Sequence, residues 1–279
     1  MKVVGLGDQV VDKYEHIHVM YPGGNALNFA VFAKKMGCDS AFLGAFGSDK
    51  EGTYVKKCVE GLGIDITHCR QYQGENGAAY VTLQNGERIF LGSNQGGILR
   101  TEGLRLQKTD YEYLKGFDLI HSGLYGFAEK ELKELHKQGC HISYDFSNDF
   151  QEEQLCKILP IVDYAFFSTS HLTQKEREEL SKRALNEGCL MVLCTCGVEG
   201  AYLYTKEKNW RQLPHYVEAK DTMAAGDAFL TSFLITFLQL TLEKGKEKHK
   251  AIHKALEKAA EFSANQCLED GSFGYGKSY

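Results

Sequence analysis

The sequence predicts an α/β protein: a three-layer αβα sandwich with a central, mostly parallel sheet, plus a second, small β-sheet set apart as a lid. Two observations carry the main prediction. Runs rich in Val, Ile, Leu and Phe recur along the 279 residues and few of them alternate with polar positions, which marks strands covered on both faces. Segments of helical period lie between these runs, and strand-helix alternation calls for parallel pairing through helical crossovers. A third observation predicts the small sheet: two extended runs meet at Asn85-Gly86, a strong hairpin turn that fits no crossover.

The first strand is expected over residues 3–7. Residues 13–20, with Tyr14, His16, Ile17, His18 and Val19, follow it as an extended segment without a helix and are expected to join the hairpin. A helix over 25–36 closes at Gly37, a strand spans 41–45, and a helix covers 49–61. The hairpin runs over 78–84 and 87–91. Strands then follow at 119–121, 142–145, 164–168 and 190–195, and helices at 128–138, closed by Gly139, and 173–187, closed by Gly188. Helices over 225–240 and 248–267 end the chain. With three prolines, no repeat and no low-complexity linker, the reading is one domain over 1–279, its lid strands inserted at about 12–20 and 77–92. A small sheet with an apolar face must cover a cleft, pair with its copy, or both.

Composition narrows the function. Hydrophobic residues are 43% and charged residues 25%, the mixture of a folded protein of enzyme size, and the net charge of -5 argues against nucleic acid or membrane as partner. A small molecule fits better. The Lys-rich stretch 244–258 reads as a solvated helix face. Nine cysteines, an odd number without a C-x-x-C pair, read as reduced thiols of a cytoplasmic protein. The start turns polar by Asp8, too early for a complete signal peptide, and the apolar stretch 228–240 is interrupted by Thr231, Ser232, Thr236 and Gln239, which makes it a buried helix. Val10 stands where a dinucleotide fingerprint opened by Gly5-x-Gly7 needs its third glycine, and His16, His18, His121, His141 and His171 form no ligand set. His121, after an apolar strand, is a candidate to approach a pocket.

The sharpest local signal is Asp221-Thr222-Met223-Ala224-Ala225-Gly226-Asp227, small residues opening into an apolar helix. Unpaired amides at a helix start carry partial positive charge, so this turn can cradle a phosphate, and Asp227 beside it can accept a proton. A tightly packed helix start, with Asp227 merely favourable to the helix dipole, is the other reading. Beyond the hairpin turn, Arg88 is a candidate to reach the site and Glu87 a surface group.

The D-T-x-A-A-G-D pattern before an apolar helix resembles the second signature of the ribokinase-like (PfkB) carbohydrate kinases. Gly23-Gly24-Asn25-Ala26-Leu27-Asn28-Phe29-Ala30, followed by Gly37 and Gly47, resembles the first, about 200 residues upstream. Gly5-Leu6-Gly7-Asp8 with Asp12, and Thr195-Cys196-Gly197-Val198-Glu199-Gly200, extend the likeness over nearly the whole chain. It implies an ATP-dependent sugar kinase that phosphorylates a primary hydroxyl. Asp227 would be the catalytic base, with Ala224, Ala225 and Gly226 lending amides to an anion hole. Asp12 and Asn28 would hold sugar hydroxyls, Gly23 and Gly24 would let the sugar approach the backbone, and Thr195, Gly197 and Gly200 would line the ATP phosphates. Asp221, with the Gly271-Ser272 turn, would support a monovalent cation such as K+. A homodimer through the lid sheet is the expected assembly.

Such chemistry needs these residue types. A hydroxyl attacks poorly at neutral pH, so it must lie within reach of a base and in line with the γ-phosphate, while fixed donors and Mg2+ absorb the migrating charge. One departure concerns the metal. The family's N-x-x-E motif corresponds here to Ser168-Thr169-Ser170-His171, which leaves Mg2+ to ATP itself, to water, or to another carboxylate such as Asp145. Ala224 replaces a frequent Gly but keeps its amide. Within the family the pattern is most similar to the fructosamine kinases, which act on Amadori sugars: Gly7-Asp8, Val11-Asp12, Tyr14, Gly24-Asn25-Ala26, Asp145-Phe146-Ser147 and Ser168 carry that likeness. The implied acceptor is the 6-hydroxyl of fructoselysine or a related fructosamine. A kinase for another sugar or a nucleoside, and a catalytically silent sugar- or nucleotide-binding protein, are the alternatives.

Overall fold

The computed structural model describes residues 1–84, 87–243 and 247–279. Its strands are β1 (Lys2–Gly7), β2 (Val10–Tyr14), β3 (Val19–Gly23), β4 (Asp39–Phe46), β5 (Arg70–Gln71), β6 (Ala78–Gln84), β7 (Glu87–Ser93), β8 (Leu119–Gly123), β9 (Ile142–Asp145), β10 (Tyr164–Ser168), β11 (Met191–Thr195), β12 (Ala201–Tyr204), β13 (Asn209–Gln212) and β14 (Lys277–Ser278). The α-helices are α1 (Asn25–Lys35), α2 (Lys50–Gly61), α3 (Gly97–Glu102), α4 (Lys108–Leu114), α5 (Glu129–Lys137), α6 (Glu152–Ile158), α7 (Gln174–Glu187), α8 (Ala225–Leu238) and α9 (Lys248–Gln266).

Nine strands form the large sheet in the order β13-β12-β11-β10-β9-β8-β1-β4-β5. It is parallel from β11 to β5, and β12 and β13 add an antiparallel edge. Both faces are apolar because neighbouring strand residues serve opposite layers. Val4 belongs to the apolar layer that includes residues of α5, α6 and α7, whereas Val3 belongs to the layer that includes residues of α1, α8 and α9. The chain leaves β1 toward β4 on one side and later returns to β8 on the other, so the strand order switches direction between β1 and β8. In open α/β sheets, ligands bind at the carboxyl ends of the strands beside such a switch.

The small sheet runs β14-β3-β2-β6-β7. Here the structure corrects the extended reading of 13–20. Residues 15–18 form a turn, with His18 at φ 51, and the chain doubles back so that β2 and β3 pair antiparallel from Val10↔Gly23 to Tyr14↔Val19. The apolar spacing of the segment survives a reversal, so pattern alone did not expose it. The hairpin of β6 and β7 holds the expected register, Gln84 opposite Glu87; the Asn85-Gly86 turn itself lies outside the described residues, as does the start of the Lys-rich stretch at 244–246. The carboxyl-terminal β14, which adds to β3 through Lys277↔Met20, was not foreseen, and neither were the antiparallel edge strands β12 and β13 or the short elements α3, α4, α6 and β5.

The helices begin where the sequence supplies caps. Asp49 accepts from the Gly52 amide at α2, and Thr173 with Glu176 closes a capping box at α7. The cap of α1 comes from elsewhere in the chain. Asp8, just past β1, accepts from the Asn25 and Ala26 amides at 2.7 and 3.1 Å. Helix α8, apolar on all sides, has Phe233, Leu234 and Ile235 fully buried against α9 and the sheet. The nine cysteines form no disulfide.

Contact between β1 and α1 sets the frame of the site. A Cβ at Gly5 would lie 1.9 Å from the Ala26 carbonyl oxygen, a backbone atom that cannot yield without moving α1. Gly5→Ala is therefore expected to lower stability by about 1–3 kcal/mol. Urea unfolding at a fixed temperature reads this directly, and an unchanged midpoint would show that the two elements are not so tightly apposed.

Candidate active site

Asn25 and Asn28 stand one helical turn apart on α1, and this i, i+3 spacing places both side chains on one face. Across from them is the first turn of α8. The Asn25 Nδ2 donates to Asp227 Oδ1 at 2.8 Å, and the Asn28 Nδ2 donates to Oδ2 at 2.6 Å. The Asn25 amide also reaches Asp145 Oδ2 at 2.9 Å, at the end of β9. Behind Asn25 lies His121 on β8, fully buried, with Nε2 3.0 Å from Asn25 Oδ1 and Nδ1 2.9 Å from Ser143 Oγ. Since the Asn25 amide nitrogen faces carboxylates, its oxygen must accept, which puts the imidazole hydrogen on Nε2 and leaves Nδ1 to accept from Ser143. Burial pulls the imidazole down to about 3, so it stays neutral.

Burial also raises the carboxylates. Asp227 is pushed up to about 6, with Asn28 and Asn25 opposing the shift and the charge of Asp8 adding to it. Asp145 is pushed up to about 7 by burial and then by Asp227. Asp12, 5% exposed on β2, is likewise pushed up to about 7, where Arg88 opposes and Asp227, Asp221 and Asp8 reinforce. Asp8 is raised by burial as well. Four carboxylates thus share a pocket in which the guanidinium of Arg88 offsets part of their repulsion.

Asp12 presses against Gly23. A Cβ there would fall 2.2 Å from Asp12 Oδ2, so only glycine lets the strand pass behind this carboxylate. Gly24, at φ 109, has its α-carbon turned toward Gln9, and a Cβ would lie 2.7 Å from the Gln9 α-carbon. Arg88 on β7 stretches over the loop before α8. Its backbone amide donates to Thr222 Oγ1 at 3.2 Å and its guanidinium lies 3.8 Å from Met223 Sδ. The small sheet therefore touches the loop that precedes the candidate base.

That loop ends in Ala224, whose φ of 58 lies in the left-handed region and turns the chain sharply into α8. No side chain caps this helix start. The Ala225 amide leans back on the Thr222 carbonyl at 3.3 Å, whereas the amides of Gly226 and Asp227 have no carbonyl four residues earlier within the helix. Asp221 is 1% exposed and braces the loop by accepting from the Met223 amide at 2.9 Å.

The remaining candidates form a second group. Thr195 ends β11, and Gly197 and Gly200 flank the short turn that leads to β12, closed by the Cys196 amide on the Gly200 carbonyl at 2.8 Å. Ser168, at the end of neighbouring β10, is 3.5 Å from the Thr195 hydroxyl. Both groups lie at the carboxyl ends of parallel strands on the same side of the sheet. Sequence reasoning missed Asn25 as a contact of Asp227, although it lies inside the first motif. It also missed Asp8 as the cap of α1 and the support of Ser143 behind His121.

A helix start with unpaired amides, a carboxylate in its first turn and a facing pocket of polar groups is the apparatus of phosphoryl transfer to an alcohol. The family model described as pfkB family carbohydrate kinase matches residues 2–272. The chain belongs to that family. It is 38% identical over 234 residues to the fructosamine kinase FrlD of Bacillus subtilis, covering 82% of this chain and 81% of that protein. To the fructoselysine 6-kinase of Escherichia coli it is 31% identical over 225 residues, covering 81% and 85%. Among solved structures, the ribokinase of Giardia lamblia superposes with a TM-score of 0.83 at 17% identity, over 98% of this chain and 94% of that one. A fructokinase of Xylella fastidiosa gives 0.77 at 20% identity, over 98% and 94%. This pfkB chain is an ATP-dependent sugar kinase in the ribokinase-like fold.

The raised carboxylates carry a cost that depends on pH. A group whose folded value lies above its ordinary one favours the folded state while protonated, and that contribution is lost as pH rises through the folded value. For Asp12 the loss falls between about pH 4 and 7. Asp12→Asn should therefore raise the melting temperature at pH 8 and change it little at pH 4. Scanning calorimetry at the two pH values decides the matter, and equal shifts at both would contradict the assignment.

Proposed function

We propose that this kinase transfers the γ-phosphate of ATP to the 6-hydroxyl of fructoselysine or a closely related fructosamine. The observation that carries the catalytic assignment is the doubly held Asp227, whose two oxygens accept from Asn25 and Asn28 at the open start of α8. Two features support the acceptor. The relatives at 38% and 31% identity are named for fructosamine and fructoselysine. An Amadori compound also carries a secondary ammonium, and the crowd of Asp8, Asp12, Asp145 and Asp227 favours a cationic guest over a neutral sugar.

In this reading Asp12 and the unpartnered, buried Oδ1 of Asn28 accept hydrogen bonds from sugar hydroxyls, and Arg88 leans over them from the small sheet. The 6-hydroxyl gives its proton to Asp227 as its oxygen bonds to the γ-phosphorus. The bond from that phosphorus to the bridging oxygen breaks, and its electron pair leaves with ADP. The amides of Ala224 and Gly226, and that of Ala225 on leaving the Thr222 carbonyl, would face the equatorial phosphate oxygens, while Thr195, Gly197 and Gly200 would line the nucleotide phosphates. Among the described residues no group of three or more His, Cys, Asp or Glu could hold a metal alone, which suits Mg2+ carried by ATP with Asp145 as its protein carboxylate. Bound there, the ion would supply charge neutralisation at the β- and γ-phosphates.

The small sheet has a second role in this proposal. Ile89, Phe90 and Leu91 on its outer strand are 39%, 56% and 55% exposed, an apolar edge suited to a second copy of the chain. The kinase works in the cytoplasm, where ATP is made and its thiols stay reduced.

A panel of acceptors with purified protein tests the reading. Fructoselysine should exceed fructose, ribose and nucleosides in kcat/KM by about 100-fold or more. Asp227→Asn should cut turnover by about 10³-fold while leaving acceptor binding within a few-fold. A flat panel would end the fructosamine assignment, and an active Asp227→Asn enzyme would end the assignment of the base.

A further inference from the structure

Asp221 is the residue at which the family likeness implies a monovalent cation, and the donors already seated on its two oxygens do not fit one, although the buried Ser272 Oγ, next in sequence to Gly271, has no partner. Its Oδ2 accepts from the Tyr14 hydroxyl at 2.6 Å and from the Gly271 amide at 2.9 Å, and its Oδ1 accepts from the Met223 amide at 2.9 Å. A large monovalent cation is held by oxygens that turn their lone pairs toward it. Here three neutral donors turn hydrogens toward the carboxylate, so the stabilisation that a buried Asp221 requires comes from hydrogen bonds within the chain itself.

The Tyr14 hydroxyl is well placed for this. Tyr14 is 1% exposed, meets Tyr21 edge-on at 5.0 Å, and packs in a cluster with Val81 and Met223. Burial and the Asp221 charge both push its hydroxyl well above the ordinary tyrosine value, which keeps the proton on the oxygen. Tyr14 lies two residues after Asp12 on β2, so both side chains leave the same face of the small sheet. One strand therefore presents a sugar-binding carboxylate and braces the loop that leads into the anion hole.

We propose that Tyr14 is a positioning residue standing in for a monovalent cation: its hydroxyl, with the Gly271 and Met223 amides, satisfies Asp221 and holds loop 221–227 in the shape that aims the first-turn amides of α8. The kinase is then independent of K+, and the shape of its anion hole depends on the seating of β2. Loss of the hydroxyl leaves a buried carboxylate short of one donor beside Ala224, the left-handed residue that sets the entry into α8. The activity arm of the proposal rests on the kinase reading, and the binding arm does not.

The test compares the whole protein and Tyr14→Phe in tetramethylammonium chloride and in KCl at equal ionic strength, by melting temperature, retention of radioactive rubidium and steady-state kinetics. The parent protein is expected to melt at the same temperature in both salts, retain no rubidium above background, and change kcat by less than about twofold. Tyr14→Phe, which keeps the ring and its packing, is expected to lose about tenfold or more in kcat in tetramethylammonium with acceptor KM nearly unchanged. KCl should restore part of that loss, because a cation can enter the place the hydroxyl vacates. Rubidium retained by the parent, a parent melting temperature raised by KCl, or a Tyr14→Phe enzyme with the parent's kcat in tetramethylammonium would overturn the proposal. Should no acceptor be turned over, the failure belongs to the kinase reading, and melting and rubidium retention still decide the cation question.

Discussion

The two hydrogen bonds that the Asn25 and Asn28 side-chain amides donate to Asp227 are the contacts on which the rest of the site depends. They join the first helix of the chain to a helix that begins about 200 residues later. Neither helix could be placed by its own pattern, since α1 is buried along most of its length and α8 is apolar all round. Asp8 fixes the entry of α1 by capping it from the end of β1, and Ala224 fixes the entry of α8 by adopting a left-handed turn. Behind Asn25, the neutral His121 and Ser143 determine which way its amide points. A carboxylate held on both oxygens has one orientation, and a base needs that before its affinity for a proton matters.

Electrostatics then makes the site an uncomfortable one. Burial raises Asp8, Asp12, Asp145 and Asp227; the charges of Asp227 and Asp8 add to the rise at Asp12 and Asp145, Asp8 adds to it at Asp227, and Arg88 opposes it at Asp12 and Asp227. A protein selected for stability alone would not gather these groups, and the repulsion is relieved by whatever positive charge a ligand brings. The proposed nucleotide side is different in kind. There Thr195, Gly197 and Gly200 offer a tight turn of backbone at the end of β11.

Much of this was legible in the sequence. The parallel strands β1, β4, β8, β9, β10 and β11 and the long helices emerged within a residue or two, because doubly covered strands and capped helices of more than two turns leave a clear period, whereas the antiparallel edge strands β12 and β13 were missed. The two glycine-containing motifs pointed to Asp227 as a base and to Asn28 as a sugar contact, but not to the hydrogen bond between them. The hairpin of β2 and β3 was hidden because a four-residue turn of Glu15, His16, Ile17 and His18 carries no glycine or proline to mark it. The short α3, α4 and α6 lack the length for a period to register, and β14 is two residues long. Asn25 escaped notice as a partner of Asp227 because helical spacing shows which residues share a face, not what that face meets. The donors around Asp221 come from residues 14, 223 and 271 and could be gathered only by folding.

The most direct test of the account is the pH dependence of kcat/KM, measured for the parent enzyme and for Asn28→Ala with the preferred acceptor. Asp227 must be ionised to receive the proton, and burial holds it at about 6 against the pull of two amides. The acid limb of the parent should therefore have its midpoint near 6, and removal of the Asn28 donor should move that midpoint to higher pH. A limb at the ordinary aspartate value of about 4, or one that Asn28→Ala leaves in place, would contradict the claim that this pair of asparagines governs the base.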